Sequence, residues 1–152
     1  MPPVDLHQLS TKLDNVFKMT DAVVDDEIKG HLSRYLCILT SGYLEEALKL
    51  LLRDYVYQRA SRNIHDYISS QLHDVANLKH EKIASILGQF NGDWRDEFIK
   101  KISPEEKDAL DSIYSNRNQI AHGQNTGISY VNMKDWYKQV QIVVSKLKVI
   151  IK

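Results

Sequence analysis

Cysteine, proline and glycine are scarce in this chain of 152 residues, which has one, three and six of them. The single thiol, Cys37, can form neither an internal disulfide nor a cysteine-based zinc site. Met1 to Leu6 carry no basic and apolar leader, so a cytoplasmic protein is expected. So few glycines and prolines exclude low-complexity linkers and turn-rich β architecture. No apolar run approaches the roughly 18 residues of a membrane span, and no membrane partner is expected. Excess charge of one sign is missing too, since 20 Lys and Arg face 20 Asp and Glu. This excludes a nucleic-acid binder that works through total positive charge, and any phosphate-binding surface must be local. There is no Gly-rich phosphate loop and no ordered Ser/His/Asp set. His7, His31, His65, His73 and His80 do not pair at metal-ligand spacing on a shared face, so neither a metal site nor a cofactor is expected.

What is present is the 43% apolar and 26% charged balance of a folded chain, with the length of about one domain, taken as residues 1–152. Apolar spacing is helical almost throughout. Leu6, Leu9, Leu13, Val16 and Phe17 share one helical face. A much longer pattern runs from near Asp25 toward Arg59, and its middle, Leu36-Cys37-Ile38-Leu39, is apolar all round, as a central helix requires. Between Ser61 and Lys101 the elements shorten. Ile64, Tyr67, Ile68 and Leu72 predict one helix, Asn77 is expected to cap a second bearing Ile83 to Phe90, and Asp93 a third bearing Trp94 and Phe98. Ser103-Pro104-Glu105-Glu106 combines an N-cap, a first-turn proline and a capping-box acid. That helix is expected to reach Ala121 or His122, with Gly123 as its left-handed stop. Asn132 is expected to open a last helix, and only Gly127 to Val131 looks extended. The predicted fold is all-α, a helical bundle of about five to seven helices with one long central helix.

The segment Asn116-Arg117-Asn118-Gln119-Ile120-Ala121-His122-Gly123 concentrates chemistry. At about 100° per residue, Ile113, Ile120 and Ala121 define an apolar face with Arg117 in its middle. A guanidinium there must be paired or must open onto an interface or cleft, because an unpaired buried charge is too costly. Asn118 and His122 are four apart and neighbours on the adjoining face. Arg can stabilise charge developing on phosphate, Asn can orient, and His can move protons near neutral pH. Tyr114, one turn before Asn118, is placed to line the same cleft.

Arg117 and His122 with four residues between them, in the context Arg-Asn-x-x-Ala-His-Gly near the end of an all-helical chain, resemble the hallmark of the HEPN superfamily. The RiboL-PSP-like HEPN domains are the nearest group, sharing Ser41-Gly42-Tyr43-Leu44-Glu45-Glu46 on the long helix and the tail around Trp136-Tyr137. The strict match covers about eight residues, the layout most of the chain. The resemblance implies Arg117 and His122 as a catalytic pair, Asn118 as an accessory, and an acid on the long helix, either Glu45 or Glu46, supporting the Arg. It further implies a homodimer with a composite site, RNA cleavage without a metal, and an antitoxin or regulatory protein as partner in a toxin–antitoxin or antiviral system. The alternative is a non-catalytic interaction or nucleotide-binding module.

A second loose match, Arg59 and His65, lacks the Ala-His-Gly context and falls where the long helix ends; it is read as chance. Lys134, Lys138 and Lys148 read as the solvated face of the last helix, and Cys37 as a buried small hydrophobe.

Overall fold

The longest helical pattern in the sequence becomes the axis of the fold. In a computed structural model, which describes residues 5–124 and 126–152, α2 (Asp26–Arg59) is one helix of 34 residues, about 50 Å long. Before it comes α1 (Leu6–Asp21). After it come α3 (Arg62–His73), α4 (His80–Phe90), α5 (Gly92–Lys101), α6 (Pro104–Ala121) and α7 (Tyr130–Ile150). The all-α bundle is as expected, with seven helices and no strand among the described residues. α2 packs against α1, α3, α6 and α7, while α4 and α5 form a pair that α5 joins to α7. Leu36, Cys37, Leu48 and Leu52 on α2 are fully buried, but Ile38 is exposed, so the apolar stretch at the helix centre is not covered all round as expected. Burying side chains of this size stabilises by roughly 1.5–3 kcal/mol each. No helix of the described residues is long and apolar enough to cross a membrane.

Three helix starts differ from the sequence reading. Asn77 does not cap α4. That place belongs to Lys79, and Asn77 lies in the preceding turn at φ 57. Asp93 is in the first turn of α5, and Asn91 caps it by accepting the Asp93 N–H. Asn132 is already inside α7, where Ser129 caps and accepts the Asn132 N–H at 3.1 Å. At the last two sites two capping residue types lie two or three positions apart. The earlier one takes the extended backbone that a cap needs. α7 therefore starts at Tyr130, inside the stretch expected to be extended.

Two attachments fix α6. At its start the Ser103 hydroxyl accepts the Glu106 N–H and the Glu106 carboxylate accepts the Ser103 N–H, the reciprocal capping box read from the sequence. The buried Glu106 carboxylate also receives the Lys146 ammonium at 2.7 Å, which ties this end to α7. In mid-helix the Cys37 thiol of α2 donates to the Ile113 carbonyl at 3.6 Å. α1 is held to α7 by Tyr137, which donates to Asp14 at 2.6 Å, and by Tyr130, which donates to Asp21 at 2.7 Å.

Candidate active site

The candidate residues gather where α6 ends. His122 is the C-cap, and its N–H bonds the Asn118 carbonyl at 3.1 Å. Gly123 follows at φ 71, a left-handed conformation that glycine adopts without a Cβ penalty. The Gly123 N–H reaches the Ile120 carbonyl and the Gln124 N–H reaches back to Gln119 at 2.8 Å, closing the helix as a Schellman motif. This stop leaves the His122 side chain exposed, next to Asn118 on the same side of the helix. The apolar face is narrower than expected. Ile113 is buried and Ile120 packs against the core, but Ala121 is exposed because the helix has by then left the bundle. The returning chain is tethered to α2, since the Arg34 guanidinium donates to the Thr126 carbonyl at 3.4 Å.

Arg117 is half-buried, as an Arg within an apolar face must be. Its guanidinium donates to the side-chain carbonyl of Asn77. Among the described residues, no carboxylate lies within ion-pair distance of Arg117. The Asn77 N–H in turn donates to the Glu45 carboxylate at 3.0 Å, and the Ser41 hydroxyl lies 3.5 Å from the same oxygen. A polar relay thus runs from α2 through the turn before α4 to α6. The two acids that the sequence left open now separate in space. Glu45 reaches the Arg117 neighbourhood through Asn77, whereas Glu46 is exposed and faces Lys49 at 3.7 Å. Cys37 also senses the guanidinium. Burial pushes its thiol up to about 11, and the positive charge of Arg117 draws it part of the way back.

Tyr114 is half-buried on the stripe that leads to Asn118, and the Lys79 ammonium sits 4.9 Å from its ring centre. One turn further back, the His80 imidazole Nδ1 meets the Asp111 carboxylate at 2.9 Å. Sequence reasoning placed Lys79, with Arg59, Arg62 and Lys82, only as local basic surface, and missed the contacts of Asn77 and His80 because their partners lie 31 to 40 positions away. The single local signal was Asn77 itself, a residue type that tolerates left-handed backbone as well as helix starts.

The second Arg/His match is not assembled into a site of this kind. Arg59, at the end of α2, lies over the Tyr55 ring, and His65, on α3, contacts Tyr57 and Asp66. Among the described residues, no three His, Cys, Asp or Glu side chains converge as a metal site requires.

A family model described as RiboL-PSP-HEPN matches residues 6–152. No match was found among curated proteins or solved structures. With nearly the whole length covered by that model, the chain belongs to the RiboL-PSP-HEPN family, within the HEPN superfamily.

Proposed function

We propose that the protein is a metal-independent endoribonuclease, with Arg117 and His122 as its catalytic pair and Asn118 as an accessory. The family supports a nuclease or RNA-related role. One observation carries the finer reading. Arg117 is oriented by a neutral acceptor, Asn77, while an exposed His122 lies little more than one turn away. A guanidinium held by an amide rather than a carboxylate keeps its full charge for an incoming phosphate.

In this mechanism His122 removes the proton of a ribose 2′-OH and the 2′-oxygen attacks the adjacent phosphorus. Arg117 stabilises the charge that develops on the phosphate oxygens. The bond from phosphorus to the 5′-oxygen breaks, and a second imidazole, His122 of the partner subunit, protonates the leaving oxygen. The products are a 2′,3′-cyclic phosphate and a 5′-hydroxyl, and DNA resists because it lacks the nucleophile. A homodimer supplies that second imidazole. Its support is the exposed apolar surface of α2 around Ile28, Tyr35 and Ile38, next to Arg34, which tethers the chain just beyond His122. A toxin–antitoxin or antiviral setting, with an antitoxin or regulatory protein as partner, completes the proposal.

The test is cleavage of single-stranded RNA. His122→Ala is expected to lower the rate by about 10²–10⁴-fold, the usual contribution of positioned proton transfer. Arg117→Lys is expected to lower it too, since an ammonium lacks the planar fork. Wild-type cleavage is expected to survive EDTA and to leave cyclic phosphate ends. His122→Ala cleaving at the wild-type rate overturns the assignment. Wild type that binds RNA or nucleotide without cleaving it supports the module reading, which the zero net charge favours.

A further inference from the structure

α6 carries more than its C-terminal cluster. Counting about 100° per residue from Lys107, the residues Asp111, Tyr114 and Asn118 all fall within about 40° of it, and His122 continues the line. These five form one stripe along the whole helix, half-exposed up to Asn118 and open at His122. Over 15 residue steps that stripe is about 22 Å long. The chain segment before and at the start of α4 runs antiparallel beside it. Asn77 meets Arg117, Lys79 lies over Tyr114, and His80 holds Asp111.

The pairings decide the electrostatics of the stripe. Its one acid, Asp111, meets the His80 imidazole, with both carboxylate oxygens within 3.0 Å of Nδ1, and stays partly exposed. Lys79 is exposed, and its ammonium rests on the Tyr114 ring, where cation–π attraction holds it beside the stripe. Beyond His80 the stripe enters a groove of about 540 Å³ between α4, α5 and α6. Against one acid, Glu81, the groove sets Lys107 and Arg95, beside the His80 imidazole and over a floor that includes Phe98 and Ile102. Arg95 is shared with Asp96 at 3.3 Å, whereas Lys107 has no ion-pair partner among the described residues. On a chain of zero net charge, this puts local positive charge in line with the candidate active site.

From this alignment we infer that the α6 stripe is a binding track for single-stranded RNA, in which Lys79 and Lys107 hold the phosphates of several nucleotides on one side of the scissile bond. The inference rests on the ribonuclease reading and adds to it the form of the substrate. The RNA is an extended strand, gripped through its backbone without regard to sequence, rather than a short or cyclic nucleotide.

The experiment measures fluorescence anisotropy with labelled 2′-O-methyl RNA, which has no attacking hydroxyl, as a three-nucleotide and an eight-nucleotide strand. Wild type is expected to bind the longer strand more tightly. The double variant Lys79→Gln/Lys107→Gln is expected to weaken the longer strand about tenfold or more. It is also expected to flatten the slope of log affinity against log salt by about 1.4, the value for two phosphate contacts on a single strand. Lys79→Arg/Lys107→Arg keeps the charges and is expected to bind nearly as wild type does. Lys138→Gln/Lys148→Gln, which removes two exposed charges of α7, is expected to change little. Equal binding of the two lengths overturns the track, as does an unchanged Lys79→Gln/Lys107→Gln variant or an equal loss from the α7 pair. If RNA cleavage still depends on His122 in those cases, the ribonuclease reading stands alone. Wild type that neither binds nor cleaves RNA overturns both.

Discussion

Asn77 accepts a hydrogen bond from the Arg117 guanidinium while its own backbone sits in the left-handed region, at φ 57. The conformation and the contact are separable by substitution. Asn77→Gly keeps the backbone and removes the side chain, so folding stability is expected to stay near wild type while RNA cleavage falls through a loosened Arg117. Asn77→Ala removes the contact but keeps a Cβ in left-handed backbone without the polar side chain that lets Asn tolerate it, which costs about 1 kcal/mol more than glycine does. Urea denaturation of the two variants reads the strain, and their cleavage rates read the contact. A cleavage rate equal to wild type in Asn77→Gly removes Asn77 from the site.

Cys37 tests how tightly α2 and α6 close around the relay. Its thiol is buried, pushed up to about 11 mainly by that burial, and bonded to the Ile113 carbonyl. The thiolate is the reactive form, so alkylation by iodoacetamide at pH 8 is expected to be negligible in the native protein and complete in denaturant. Mass spectrometry of protein labelled under native conditions checks this. Rapid native labelling means that the interface opens.

The start of α6 is expected to tolerate Ser103→Ala at a cost of about 1 kcal/mol, the usual value of an N-cap. Lys146→Met is expected to cost more, about 2 kcal/mol, because the buried Glu106 carboxylate loses a charged donor. Denaturant midpoints of the two variants give the order, and the reverse order means that the capping box carries the attachment.

Alkaline pH is expected to release α1. Burial, followed by the hydrogen bond to Asp14, pushes the Tyr137 phenol well above its ordinary value, and burial and Asp21 do the same for Tyr130. A raised phenol stabilises the fold fully below the unfolded value of about 10, and that contribution is lost as pH climbs past it. Asp21 works in the opposite direction. The Tyr130 hydrogen bond holds its carboxyl low, so its part is present above the ordinary carboxylate range and is lost on acidification. Urea midpoints between pH 9 and pH 11 are expected to fall in wild type and to fall less in Tyr137→Phe. Parallel curves exclude this origin.

Signals closed within one helix were legible in the sequence, and contacts between helices were not. Ser103, Pro104 and Glu106 specify a helix start among themselves, and Gly123 specifies a stop, so α6 was readable at both ends. Asn118 and His122 were readable as neighbours because helical periodicity places them together, with Arg117 on the adjoining apolar face. The choice between Glu45 and Glu46 was not readable. Both lie on α2, and only the turn at Asn77, brought in by tertiary packing, distinguishes them. Asn77 itself was misread because the same residue type suits a helix cap and a left-handed turn. What settled it was a partner 40 positions away.

The attachment of Glu106 to Lys146 has a consequence for the order in which the chain is made. α6 contains Arg117 and is capped by His122, but α7 follows it in the chain, covers one of its sides and supplies the cation for its first turn. While synthesis proceeds through Asn118 and His122, the helix that bears them still presents an uncovered flank and an unmatched carboxylate. An emerging chain therefore holds every candidate catalytic residue before the helix that carries them is fully packed, and that packing awaits extension through α7.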